Sequence, residues 1–495
     1  MTGTTWQPVI SSLFENGVAL RIHCGALLAS DPRHILSQAE IALLNNNVPA
    51  IVLEVMRRPQ PSAALPTNSA PLSFQQEFAL EHFGDSYGGP TSVHILGKLD
   101  GAALTRSIAG LVKRHGALRT RIIVTPECLL QQTDAHIYRA PETLDLEIAS
   151  AARIDAAKTI RSIVSDWFER GESTFEARLL RLSDTEHILT ILWDHLFMDY
   201  YSAGLLFNEM WTSYFKSTPN EKELPRRGPM QYSDYAIWQR QSYPEWTLRH
   251  EKYWNHRLAD AVPLQVPERE GTLISQHVQL PSALGQSLKN VANRIGVSIA
   301  ITVISLLAVA IAAQFNLRRF TLPMTFSGRT RPQHLNMIGY TSGFVPLRVD
   351  LGPHTSFSNL CRGLSTELLS GITHLEVGKA LDGQNRDLIL APFVQWFPST
   401  PRDVIAPVSC ERELEAAGLT IQAFSEAAFE RGSGRQRPGS RFLPGLMLRE
   451  QDGSISALGV FPLDLRDERF LRLAERVLGH VEATLVPSFS DSALN

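Results

Sequence analysis

The stretch Trp193-Asp194-His195-Leu196-Phe197-Met198-Asp199-Tyr200-Tyr201-Ser202 decides the reading of this chain. Before it, His187 to Trp193 is an apolar run of strand length that delivers His195 just past its end. After it, Tyr201 to Phe215 has the periodicity of a helix. A histidine on a short connection between two rigid elements is held accurately and still reaches a substrate. Asp199 follows four residues later. That spacing is weak evidence alone, because His256 and Asp260 repeat it inside Tyr253 to Asp260, a segment that reads as amphipathic surface helix. Trp193 is assigned to the core.

Composition narrows the classes. The chain has 495 residues, enough for two or three domains, with 44% hydrophobic and 20% charged residues. A formal charge of -3 argues against nucleic-acid binding, which needs a basic excess. Cys24, Cys128, Cys361 and Cys410 have neither metal-type spacing nor the density of a disulfide framework, which suits a reducing, cytoplasmic setting. No basic region followed by an apolar core opens the chain, so no secretion signal is expected. Val297 to Ala313 carries no charge but is short for a bilayer span, and reads as a helix buried on all sides.

Along the chain, helix-like Pro8 to Glu15 precedes two short runs, Val18 to His23 and Ala26 to Ser30, about a Cys24-Gly25 turn. This predicts a β-hairpin, followed by helices over Ile35 to Leu44 and Val48 to Met56. Residues 58–71 are proline-rich and polar, a linker by composition. Thereafter strand-like and helix-like segments alternate, which predicts a mixed α/β (α+β) fold. The strands are expected at Leu118 to Val124, His187 to Trp193, Phe320 to Phe326 and Phe344 to Leu351. Helices are expected at Leu104 to Lys113, Leu284 to Arg294, Val297 to Phe315 and Glu468 to Leu485. A boundary is expected between Arg257 and Gly271, where prolines and charges cluster.

From about Pro71 onward the chain resembles the condensation domains of nonribosomal peptide synthetases. Five segments carry the resemblance, in the family's order: Leu72 to Leu80 (Ser-x-x-Gln), Arg114 to Thr120 (Arg-His-x-x-Leu-Arg-Thr), Asp194 to Tyr200 (His-His-x-x-x-Asp-Gly), Phe326 to Pro332 (Ser-Gly-Arg) and Ile338 to Val349 (Pro-Leu-Arg). Residues 1–57 are similar to small β-hairpin docking domains of such synthetases. The resemblance implies two chloramphenicol-acetyltransferase-like lobes in a V, here 72–262 and 263–495, behind a docking domain and linker. It implies a free-standing enzyme that moves an acyl chain from a carrier-protein phosphopantetheine thioester to an amine or hydroxyl acceptor. The layout is similar to ester-forming chain-release relatives of polyketide antibiotic assembly.

By the same resemblance, His195 is the catalytic histidine and Asp199 the structural aspartate, ion-paired with Arg119 or Arg329. Ser327, Gly328 and Ser342 are candidate cleft residues. Leu20, Arg21, Ile22 and His23 form the candidate docking strand, where a linear motif of a carrier adds to a hairpin edge. No metal or bound cofactor is expected; phosphopantetheine belongs to the carrier. The chain departs from the pattern where Asp194 replaces the first histidine, Tyr200 the glycine and Gly343 an asparagine. Asp194, Asp199 and Ser202 also fit the pattern of heterocyclization relatives. A decayed motif fits a recruitment platform that binds carrier or partner proteins without turnover.

Overall fold

The computed structural model describes residues 6–16, 18–24, 26–30, 36–47, 50–51, 54–55, 66–82, 88–134, 142–145, 152–216, 229–265, 274–352, 355–374, 388, 392–397, 401–424, 445–451 and 454–484. The fold is mixed α/β. The chain forms two compact units, each discontinuous in sequence. The first comprises 1–243, 331–341 and 401–442; the second comprises 244–330, 342–400 and 443–495.

Two five-stranded sheets build the first unit. One runs in the order Ala26–Ser30, Ala19–His23, Thr120–Val124, Leu129–Thr133, Ser69–Pro71, with every pair antiparallel. The predicted hairpin is therefore present, and it is part of a larger sheet. Leu20 to Ile22 pair with Ile122 to Val124 on the side away from the hairpin partner. A separable docking domain over 1–57 does not describe this arrangement. Leu20 and Ile22 are buried in a core shared with Ile122 and Val124, so the apolar face of the hairpin finds its cover there. The end of the expected linker is likewise a strand, Ser69–Pro71, while 58–65 lies outside the described residues.

The other sheet runs Thr420–Ala423, Gly88–Leu96, Glu186–Asp194, Phe175–Ser183, Glu142–Asp145. Its last pair is parallel and the others antiparallel. Strand Thr420–Ala423 comes from late in the chain, which the expected boundary did not allow for. The chain leaves the first unit inside one helix, Tyr232–Leu258, at Pro244 and not between Arg257 and Gly271.

The second unit holds one six-stranded sheet in the order Ile274–Gln279, Ser454–Phe461, Gly445–Gln451, Phe393–Phe397, Arg319–Phe326, Gly343–Asp350. The apolar segment forms helix Ile299–Phe315, capped by Ser298 and closed by Asn316 in the left-handed region. Twelve of its residues are buried, as a helix apolar on every face requires. Among the described residues no single helix is long and apolar enough to cross a membrane. His256 and Asp260 are exposed, and Asp260 pairs with Arg348.

Candidate active site

Strand Glu186–Asp194 is central in its sheet, and both its faces are covered. Successive side chains of a strand point to opposite faces. Leu189 and Ile191 accordingly enter one core cluster, while Ile188 and Leu192 enter another. This alternation sends the motif's first residues in different directions. Trp193 packs on the first cluster. Asp194 lies fully buried beside Cys24, a member of the second.

His195 follows the strand and is half-buried. Its ring lies 5.2 Å from that of Trp193 and meets Tyr340 edge-on at 5.1 Å. Burial pushes its pKa below the usual 6.5, against opposing pulls from a bond to its own main chain and from the Asp199 charge. The imidazole is thus neutral at pH 7 and able to accept a proton.

Asp199 caps helix Tyr200–Phe215, its Oδ1 accepting the Ser202 N–H at 2.9 Å. Ser202 Oγ is 2.8 Å from the same oxygen and 2.9 Å from Gly339 O, and it accepts the Gly339 N–H at 3.1 Å. Asp199 Oδ2 accepts the Thr341 N–H at 3.2 Å. One carboxylate therefore fixes the turn after His195 and the segment that carries Tyr340. Gly339 is required here, since a Cβ would lie 2.3 Å from the Tyr232 ring.

The Ser-x-x-Gln motif supports the same turn. Gln76 Nε2 donates to Leu196 O at 2.9 Å, next to His195. Tyr232 donates its hydroxyl proton to Tyr340 O and lies 2.7 Å from Ser73 Oγ. Ser73 and Gln76 brace each other, Ser73 N–H to Gln76 Oε1 at 3.0 Å and Gln76 N–H to Ser73 Oγ at 3.1 Å. In sequence this motif marks the family; that Gln76, Tyr232, Tyr340 and Thr341 support the turn is visible only in the structure. The motif itself was the signal for Gln76; nothing local announces Tyr232, which arrives from 159 residues away.

Other expected residues are placed differently. Arg119 directs its guanidinium to the carbonyls of Val112, Asp134 and Lys113, which spends its donors on main chain and not on Asp199. Ser327, Gly328, Arg329 and Ser342 belong to the second unit. There Arg329 donates to Ser327 O at 3.2 Å, and Gly328 has a φ of 69°, suited to glycine. Tyr200 opens its helix with φ outside the left-handed region, which among non-glycine described residues holds only Cys24, Asn68 and Asn316. Its replacement of glycine therefore takes up space without straining the backbone. Leu20, Arg21, Ile22 and His23 cannot offer a free edge, since their strand has a neighbour on both sides; among the described residues Ala26–Ser30 is the end strand.

Asp194 is the centre of a buried polar cluster. Its Oδ2 accepts the Cys24 N–H at 2.9 Å and its Oδ1 accepts the Leu196 N–H at 2.9 Å. His23 Nδ1 lies 3.8 Å from Oδ2. Burial raises the Asp194 carboxyl to about 7, although the Cys24 and Leu196 donors hold it back. Burial, aided by the Arg21 charge, lowers His23 to about 4. His23, Cys24 and Asp194 place ligand-type atoms within 4.8 Å of one another, but both carboxylate oxygens already accept main-chain N–H groups.

The sequence profile of the condensation domain family matches residues 68–379, and the chain belongs to that family. Condensation domains transfer acyl groups in nonribosomal peptide assembly, in concert with carrier proteins. Over 372 residues, 69% of this chain, it is 27% identical to the enniatin synthase of Fusarium equiseti; that match spans 11% of the relative's length. The fold is similar to that of the EpoB cyclization-docking bidomain from Sorangium cellulosum, with a TM-score of 0.60 and 18% identity over 96% of this chain and 99% of that one. It is also similar to a structure concerned with condensation domain-mediated chain release from the enacyloxin polyketide synthase, with a TM-score of 0.60 and 16% identity over 97% of this chain and 96% of that one. Four per cent of 495 residues is about 20, so both likenesses extend into the first 57 residues.

Proposed function

We propose that this protein moves an acyl chain from a carrier-protein phosphopantetheine thioester to an amine or hydroxyl acceptor, with His195 as the general base. The observation that carries this reading is a neutral, half-buried imidazole on a turn fixed from both sides by Asp199 and Gln76. In the transfer, the acceptor's nitrogen or oxygen attacks the thioester carbonyl and its proton passes to His195. The carbon–sulfur bond then breaks, and the proton goes to the departing pantetheine thiolate. Asp199 holds the turn and does not exchange protons. Action on a carrier in trans with ester-forming chain release is also proposed; for the chain-release part alone, the likeness in fold to the structure concerned with chain release from the enacyloxin polyketide synthase is the support.

Docking of a carrier's linear motif fits the end strand Ala26–Ser30 better than the inner strand. About a two-residue turn the paired residues alternate in their bonding, which turns the Ala29 amide outward. Ala29→Pro should raise KM for the acylated carrier several-fold and affect turnover of a small thioester mimic far less. Equal loss with both donors would count against docking.

Heterocyclization draws on Asp194, Asp199 and Ser202. Here both oxygens of each aspartate serve main-chain donors, which favours a structural use of the pair. The deciding experiment is intact-mass spectrometry of an acylated carrier with a panel of amines and hydroxy acids, beside His195→Ala. Unloading that needs both His195 and one acceptor supports transfer and tells amide from ester. A product lighter by one water supports cyclization. Carrier binding without turnover on any cognate pair supports a recruitment platform.

A further inference from the structure

We propose that Asp194 is a positioning residue that ties the N-terminal hairpin to the turn of His195, making the hairpin a working part of the transfer site. This rests on the reading of His195 as the general base. Asp194 and Leu196 flank that histidine in sequence. One oxygen of the Asp194 carboxylate takes the Leu196 N–H; the other takes the N–H of Cys24, 170 residues away in the hairpin. The turn closes through Phe197 N–H to Asp194 O at 3.0 Å, and Asp194 N–H donates to Thr174 O at 2.9 Å. The same side chain therefore fixes the residue after His195 and the tip of the hairpin.

The hairpin is shaped for this contact. Cys24 holds a φ of 47°, which a non-glycine residue adopts only at a cost. The bond from its N–H to a buried carboxylate offsets that cost. The hairpin is also clamped beside the helix Ala152–Arg170. His23 meets Trp167 edge-on at 4.6 Å, and Arg21 Nη2 donates to Arg170 O at 3.3 Å. Gly171, with φ 52°, permits the closeness, because a Cβ there would lie 2.0 Å from Leu28 Cδ1. Displacement of the hairpin is thus transmitted to a bond adjoining the catalytic residue.

The carboxylate is suited to two main-chain donors as few groups are. An asparagine offers one acceptor oxygen and an NH2 that opposes the second N–H. Asp194→Asn should therefore loosen the tie while keeping size and burial. The test is a double-mutant cycle with Arg21→Ala, read on transfer from a small thioester mimic that needs no docking. We expect each single change to lower kcat, Asp194→Asn tenfold or more, with KM within twofold of wild type. The double variant should lose less than the product of the two. Singles within twofold of wild-type kcat, or strictly multiplicative losses, overturn the proposal. If Asp194→Asn does not fold, amide exchange decides: Leu196 should exchange faster in Arg21→Ala than in wild type, and unchanged exchange overturns the tie. His195→Ala separates the two readings. A His195→Ala protein that still transfers defeats the transfer reading itself, whereas an inactive one beside a fully active Asp194→Asn defeats only the coupling.

Discussion

His195 and Asp194 are neighbours with opposite tasks, and strand geometry is the reason. The alternation of Glu186–Asp194 turns Asp194 to the hairpin side while Trp193, and the ring of His195 packed on it, take the other. Each is expected to show its own pH dependence. Because burial lowers the His195 pKa below 6.5, kcat/KM should fall on acidification with an acid limb below that value. A limb at or above 6.5 would argue against His195 as the base. Asp194 runs the other way. Its folded carboxyl is raised to about 7 from an ordinary 3.8, so the folded state holds the extra proton between those values. Its contribution to stability is full below about 3.8 and is lost as pH rises through about 7. His23, lowered to about 4 from 6.5, opposes it over pH 4 to 6.5. Above 6.5 Asp194 acts without that opposition. Melting temperatures from pH 6.5 to 8 should therefore fall in wild type and stay flatter in Asp194→Asn.

At the scale of elements, the turn after His195 is held by a helix cap and two cross-chain bonds. Asp199→Ala removes the cap of Tyr200–Phe215 and the acceptor of the Thr341 N–H. A lost cap costs about 1 kcal/mol, and orphaned buried donors add about 1–3 kcal/mol each. Urea unfolding of Asp199→Ala should report a loss of several kcal/mol, and its inactivity would not prove a chemical role. Gly171→Ala is a sharper probe of the hairpin seat, because it meets both a positive φ and Leu28. It should destabilise by about 1–3 kcal/mol. A melting temperature equal to wild type would show that the hairpin does not sit as described.

Several of these elements were legible in the sequence. Helix Gln38–Asn46 begins at a Ser37 and Glu40 capping box, three residues after the expected start at Ile35, and helix Ile299–Phe315 ends at Phe315 as expected, closed by Asn316. Strand Glu186–Asp194 was legible as an apolar run, because a strand covered on both faces needs one. The role of Arg119 was not, since an arginine's choice between a carboxylate and nearby carbonyls depends on where those groups lie in space. Asp194 read as a lost histidine for the same reason. Its partner Cys24 is 170 residues distant.

At the scale of the whole molecule, sequence continuity is a poor guide to what folds together. The first unit needs residues 331–341 for Tyr340 and Thr341, and 401–424 for the strand beside Gly88–Leu96. A fragment of residues 1–243 should therefore fail to give a cooperative melt, and a sharp transition in circular dichroism would contradict this. Deletion of 1–57 should likewise cost stability, because it strips the edge of Thr120–Val124 and uncovers Ile122 and Val124.

The sequence by itself determined the mixed α/β class, about half of the helices, a minority of the strands, the membership of a condensation family and the position of His195. These rest on local periodicity, caps and motif order, all of which are written along the chain. Tertiary structure alone decided that the hairpin joins the first sheet, that its outer strand and not its inner one ends that sheet, and that Asp194 and Asp199 serve main-chain donors. Those outcomes depend on which distant segments cover an apolar face or satisfy a buried carboxylate, and burial fixes that only when the chain has closed on itself.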